Sequence, residues 1–260
     1  LIKRGQNKEI NMIVTIVGCQ GIGTTSFSVK LALEYTKNNP DNSCVVVNGD
    51  YVTPTIPIIN TDTSYAESLG SLLSEEYIDY KKILSHLTPY KNNGNIALLG
   101  YKYGENIYTY PEPTESKTDR IMDILKKNID LVVIDTVFNF FRDKFAVWGF
   151  SNSDELIHLF SPDPKGLSYE TSQERLLASY GYNKEREIKV FSNISFDDNK
   201  NLTAYEKYYG QIPYILPHSD ELEKNFILGE MDKSLTSKEG KKYDKTVGGI
   251  YRQINERNIL

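Results

Sequence analysis

Cysteine, histidine and tryptophan are scarce in this chain, whose 260 residues include 2, 3 and 1 of them. Two cysteines cannot build a disulfide framework. Cys19 falls in a glycine-rich segment and Cys44 opens an apolar run, so both are expected as reduced thiols. The histidines, His86, His158 and His218, have no metal-ligand spacing to one another or to the cysteines, which argues against a zinc site. Neither a Gly-x-Ser-x-Gly motif nor a Cys/His nucleophile arrangement occurs, and the familiar hydrolase chemistries go with them. No apolar run approaches the about 18 residues of a membrane span, and no charged-then-apolar leader stands at the start, so a cytoplasmic location is expected. Positive charge is short as well: 30 Lys and Arg against 35 Asp and Glu leave a net charge of −5. Without a basic stripe there is no electrostatic footprint for direct nucleic-acid binding.

What is present reads as a folded α/β protein. Apolar residues are 39% of the chain and charged residues 25%, a globular composition at a length that suits one large domain. Residues 1–11 precede the first strand-like run and read as a tag or leader remnant, leaving 12–260 as a single domain. Largely continuous apolar runs at Met12–Val17, Cys44–Val47, Ile96–Gly100, Leu131–Ile134, Leu156–Phe160 and Ile188–Phe191, with a shorter one at Ile212–Ile215, are the pattern of parallel strands covered on both faces. Helical spacing lies between them, at Phe27 to Tyr35, at Ile121 to Leu125 and at Leu176 to Tyr180. Strand and helix in alternation predict a doubly wound, mainly parallel sheet with helices on both faces, and ligand groups at the carboxyl ends of the strands. Residues 53–63 and 101–117, each with two prolines, read as long surface loops.

The first strand runs into Gly18-Cys19-Gln20-Gly21-Ile22-Gly23-Thr24-Thr25 and then a helical segment. A glycine-rich turn at a helix N-terminus gathers backbone N–H groups around one point and favours an anion. The spacing is that of a phosphate-binding P-loop, with Thr24 where the lysine belongs and Thr25 where a hydroxyl meets Mg²⁺. A glycine turn that binds nothing is the plain alternative. Two companions weigh against it. Asp130 through Thr136 is an apolar strand ending in Asp135, the form that holds Mg²⁺ directly or through water. Asn48-Gly49-Asp50 closes another strand, where Asp50 orients a water, as the catalytic residue of an active enzyme, or touches Mg²⁺, or merely caps a turn.

Together these motifs resemble the MinD/ParA superfamily of deviant Walker ATPases, which includes bacterial tyrosine kinases and pilus- and conjugation-positioning relatives. The similarity runs from about Met12 to the C-terminus. The family loop K-G-G-x-G-K-T-T is matched by Cys19 through Ser26, its D-x-D by Asn48-Gly49-Asp50, and its D-T-P-P by Asp135-Thr136-Val137-Phe138. Phe191-Ser192-Asn193 resembles the strand whose asparagine contacts adenine, Ile215-Leu216-Pro217 followed by Gly229 the base-side proline loop, and Asp154-Glu155-Leu156 through Ser161-Pro162-Asp163 the strand and turn after Walker B. The resemblance implies a nucleotide site of Gly18, Gly21, Ile22, Gly23, Thr24, Thr25, Ser26, Asn193 and Pro217, with Mg²⁺ at Thr25 and Asp135. It also implies a protein partner or a homodimer.

The departures carry as much. Cys19 replaces the family's signature lysine and Thr24 the ordinary P-loop lysine, a loss of roughly 2.7–4 kcal/mol of transition-state stabilisation for each preorganised group. ATP or ADP with Mg²⁺ is therefore expected to bind weakly or not at all, and hydrolysis to be slight. Lys30 is expected to face solvent or a dimer partner rather than replace the missing charge. The readings left open are a degenerate member that regulates or positions a pilus, secretion, conjugation or partition apparatus, an active Mg-ATP switch, and a nucleotide-independent scaffold. Tyr243, Val247, Ile250, Tyr251 and Ile254 predict a terminal helix packed on the sheet, with a membrane-surface helix as the alternative. The chain end lacks the tyrosine cluster expected of a bacterial tyrosine kinase.

Overall fold

The computed structural model describes residues 11–60, 67–91, 93–106, 108–195 and 202–258. Residues 1–10 of the expected leader, 61–63 of the first loop and 107 of the second lie outside the described residues.

The apolar runs form β1 (Met12–Gly18), β2 (Cys44–Asn48), β4 (Asn93–Leu99), β5 (Leu131–Asp135), β6 (Glu155–Phe160), β7 (Glu187–Ile194) and β8 (Tyr214–Pro217), joined by a short β3 (Thr88–Tyr90). The sheet order is β3-β4-β2-β5-β1-β6-β7-β8. All neighbours pair in parallel except β3, which runs antiparallel to β4 at the edge. Along β1, Met12, Val14 and Ile16 enter one apolar cluster and Ile13 enters another, because successive side chains point to opposite faces. Helices therefore cover both faces.

On the first face lie α1 (Thr24–Asn38) and α10 (Lys238–Asn258), whose Phe27, Leu31, Val247 and Ile250 are buried with Val14 and Ile16. The second face takes α3 (Leu69–Ser74), α4 (Tyr80–His86), α5 (Glu115–Asn128) and Phe145 of α6 (Lys144–Asn152). The terminal helix packs on the sheet as its spacing predicts, burying Tyr243, Val247, Ile250, Tyr251 and Ile254. Among the described residues no helix is long and apolar enough to cross a membrane.

Three expectations change. The 53–63 segment contains a helical turn, α2 (Ile56–Ile59), with Ile56, Pro57 and Ile59 buried; Pro57 suits the first turn of a helix, where its missing N–H costs nothing. The 101–117 segment is not wholly a surface loop, since Tyr101 and Pro113 are buried and α5 begins at Glu115. Lys30 does not face solvent: it lies buried on α1, with Nζ 3.6 Å from Asp244 on α10 and 3.4 Å from the Lys233 carbonyl.

The third layer of side chains belongs to α7 (Pro164–Ser179) and α8 (Leu202–Tyr209), over β6 and β7. Beneath them His158 is buried with Nδ1 2.8 Å from Glu187 and Nε2 2.9 Å from Glu170, while Tyr182 donates to Glu187 at 2.9 Å. Burial alone would lower the imidazole pKa, but Glu170 and then Glu187 override it and hold the ring as a cation, with a pKa of about 9.

Candidate functional site

The residues of the expected nucleotide site lie at the carboxyl edge of the sheet. Gly18 ends β1, Asn48 ends β2, Asp135 ends β5, Asn193 lies near the end of β7 and Pro217 ends β8. Parallel strands all point their carboxyl ends the same way, so their following loops meet in one crevice. Register sets the heights, with Ile16 opposite Asp135 and Gly18 opposite Leu159.

The loop from β1 into α1 has the conformation its glycines allow. Gly21 and Gly23 have φ of 77° and 96°, in the left-handed region that other residues rarely adopt. Gly18 is required for another reason: a Cβ there would stand 2.7 Å from Ile22 and 2.9 Å from the Leu159 carbonyl. Gly23 is the N-cap of α1 without a side-chain bond, and the first turn of the helix has no acidic residue. Its orphan N–H groups and the positive end of the helix dipole are thus available to an anion.

At the start of α1 the Thr25 hydroxyl donates to Asp135 Oδ2 at 2.7 Å, and Asn48 Nδ2 donates to the same oxygen at 2.9 Å. Asp135 Oδ1 is buried without a hydrogen-bond partner. Burial raises the Asp135 pKa to about 6 against the lowering effect of the Thr25 and Asn48 bonds. A hydroxyl beside a carboxylate with one orphaned oxygen is a donor set that fits Mg²⁺, bound directly or through water. Thr25 and Asp135 would hold the ion, and it would supply positive charge at the phosphates.

Asp50 is already engaged: its Oδ1 accepts from Val52 N and Thr53 N, both at 2.8 Å. The carboxylate caps its own turn, and burial raises its pKa. Cys19 is partly buried, and burial pushes its thiol up to about 11, followed by the fields of Glu170 and Asp163. It is a neutral thiol, and Cys19 and Cys44 are both free cysteines. Thr24 opens α1 and its carbonyl accepts from Ser28 Oγ at 2.8 Å.

Toward the other end a cleft of about 270 Å³ runs from the loop to β8. Gly21, Ile22, Gly23 and Ser26 line one end, and Asn193 and Pro217 the other. Gly18, Thr24 and Thr25 do not line this cleft; they lie in and beneath the loop itself.

Three contributors were not legible locally. Ser192, on β7, donates to the Ile22 carbonyl at 2.9 Å and ties the phosphate loop to the far strand. His218 Nδ1 lies 2.8 Å from Asn193 Oδ1, and Asn193 has a positive φ of 59°. His218 also stands with Asp220 and Glu223 of α9 (Asp220–Ile227), ligand-capable atoms all within 4.8 Å of one another. Asp143, the N-cap of α6, is buried with Oδ2 unpartnered, and its carboxylate fills the space where Gly49 would carry a Cβ. Burial lifts its pKa to about 7, helped by the charges of Asp50 and Asp135.

No family model matches the chain, and no curated protein sequence does. Solved structures do match. The crystal structure of a ParA family ATPase from Chlorobium tepidum TLS superposes with a TM-score of 0.75 over 93% of this chain and 99% of that one, at 15% identity. The chain has the fold of the ParA/MinD ATPases. MinD in the MinC:MinD cell division protein complex of Aquifex aeolicus is similar at a TM-score of 0.72 and 14% identity, covering 94% and 96% of the two chains. The septum site-determining protein MinD of Pyrococcus horikoshii OT3, solved with Mg-ADP, gives 0.70 and 13% over 94% and 96%. In this chain the loop from β1 into α1 carries Gly18, Gly21 and Gly23, with the uncharged Cys19 and Thr24 among them.

Proposed function

We propose that this chain is a divergent MinD/ParA-type protein that binds ATP or ADP with Mg²⁺ at the Gly18–Ser26 loop, hydrolyses it little or not at all, and acts by presenting a surface to a protein partner or a second copy. The machinery it regulates or positions would be cytoplasmic, of the pilus, secretion, conjugation or partition kind. One observation carries the reading: a single cleft joins Gly21, Ile22, Gly23 and Ser26 to Asn193 and Pro217, so the phosphate and base ends of a nucleotide have adjoining places. The Mg-ADP complex of the similar MinD and the MinC:MinD complex support the nucleotide and the partner.

The chemistry supports slow turnover. Helix-dipole N–H groups and a metal at Thr25 and Asp135 suffice to hold a phosphate chain in the ground state. A transition state gathers extra charge on the phosphoryl oxygens, and neither Cys19 nor Thr24 answers it. Asp50, committed to two backbone N–H groups, is poorly placed to take up a proton from water.

The test is calorimetric titration with ATP and ADP plus Mg²⁺ on the wild type and on Thr24→Lys, paired with a steady-state ATPase assay. Weak saturable binding with negligible turnover is expected, tightened in Thr24→Lys. Mg²⁺-dependent turnover abolished by Asp50→Ala would replace this reading with an active switch. Absence of binding by both proteins would replace it with a nucleotide-independent scaffold.

A further inference from the structure

The sheet order places β1 between β5 and β6, so the phosphate loop is flanked by the segments that leave those two strands. Each segment carries an exposed cation beside the start of its next helix. Arg142 immediately precedes Asp143, the N-cap of α6, and Lys165 lies in the first turn of α7 behind its N-cap Asp163. Among the described residues neither side chain makes a hydrogen bond or an ion pair. Neighbouring cations are committed elsewhere: Lys144 lies 3.6 Å from Glu115, and Lys30 pairs with Asp244.

Both are tied to the loop's surroundings. Asp143 packs against Gly49 and accepts from Phe145 N at 2.9 Å, which fixes the backbone of Arg142 beside the Asn48–Asp50 turn. Gly18 is level with Leu159 on β6, so Cys19 leaves β1 where the chain of β6 turns toward Lys165. The charge of Lys165 acts on its neighbour Asp163 and, after the larger opposing charges of Glu170 and Asp163, on the Cys19 thiol. Between them, Asp50, Asp135 and Asp143 make the phosphate end acidic, and the loop has no cation of its own.

We infer that Arg142 and Lys165 close from either side on the phosphates of the bound nucleotide and supply the positive charge that Thr24 and Cys19 do not. This rests on the nucleotide reading above. Both side chains have long stems, and the guanidinium fork of arginine suits bidentate contact with phosphate oxygens. Arg142, on the Asp135 side where the metal set lies, faces the terminal phosphate; Lys165, on the Cys19 side, faces the rest of the chain.

The experiment is calorimetric titration of Mg-ATP and Mg-ADP into the wild type, Arg142→Ala, Lys165→Ala, Thr24→Lys and the two double variants. Each alanine change is expected to weaken Mg-ATP about ten- to hundredfold, the worth of a charge-assisted hydrogen bond. Arg142→Ala spares Mg-ADP, and Lys165→Ala weakens both. In the Thr24→Lys background both losses shrink, because the restored lysine shares their ligand and the effects cease to add. An alanine variant with wild-type Mg-ATP affinity removes that residue from the assignment, and if both retain it the inference falls while the nucleotide reading stands. Full losses persisting in the Thr24→Lys background also overturn it, since they would come from something other than the missing charge. If the wild type binds neither nucleotide, the reading and the inference fall together.

Discussion

The side chains of Glu170 and Glu187 lie buried on either side of the His158 imidazolium, whereas Asp135 and Asp143 lie buried near the glycine-rich turn with no ion-pair partner among the described residues. In the first cluster the cation compensates the cost of removing carboxylates from water. In the second each carboxyl keeps an orphaned oxygen and a raised pKa. Buried charge is therefore neutralised internally where it supports the fold, and left to be neutralised from outside where a ligand is expected. The first cluster also keeps an unpartnered oxygen, Glu170 Oε1, but it holds its own cation, and the Asp135–Asp143 end does not.

The comparison breaks most sharply at His158. Replacing it with alanine leaves Glu170 without its cation and Glu187 with only Tyr182 and, at 3.8 Å, Lys189, and is expected to cost about 3 kcal/mol in urea unfolding. A smaller loss would mean that water already reaches the cluster. Next comes pH. The folded-state pKa of about 9 lies above the ordinary 6.5, so this stabilisation is complete below about 6.5 and disappears as pH rises through about 9. A fall of about 2–3 kcal/mol over that interval is expected, and it should flatten in His158→Ala.

The phosphate end behaves with the opposite sign. Asp135 and Asp143 have folded-state pKa values of about 6 and about 7 against an ordinary 3.8, so their cost builds above about 4 and is complete at pH 8. Asp143→Asn, which retains an N-cap side chain, is expected to raise nucleotide-free stability at pH 8 by about 1–2 kcal/mol in thermal unfolding and to leave stability near pH 4 unchanged. Equal effects at both pH values would show that Asp143 acts through packing alone. The smallest effect belongs to Asp50→Ala: the loss of two turn hydrogen bonds should lower stability by about 1 kcal/mol in the same assay.

Much of this was legible in the sequence because it is encoded locally. Continuous apolar runs marked seven of the strands, and the spacing of Gly18, Gly21 and Gly23 marked the tight turn from β1 into α1, since positive φ and close approach leave few other residues. The edge strand β3 escaped because three residues containing Pro89 carry too little pattern. Ile56 and Ile59 escaped because two prolines suggested a loop, although one of them opens a helical turn. The contacts of Asp143 and Ser192 could not be read: one abuts Gly49 and the other bonds Ile22, and only the fold brings those segments together. Lys30 was misplaced for the same reason, its partner Asp244 lying at the far end of the chain.

That pairing has a mechanical side. Helix α1 is a single rod whose first residues follow the glycine-rich turn proposed to hold phosphate, and the same rod is clasped by α10 through Lys30, Asp244 and the Tyr35–Tyr251 ring contact at 6.1 Å. A partner that seized the outer face of α10 would therefore have a lever on the phosphate loop from the opposite flank of the molecule, and amide exchange in the first turn of α1 would register the pull.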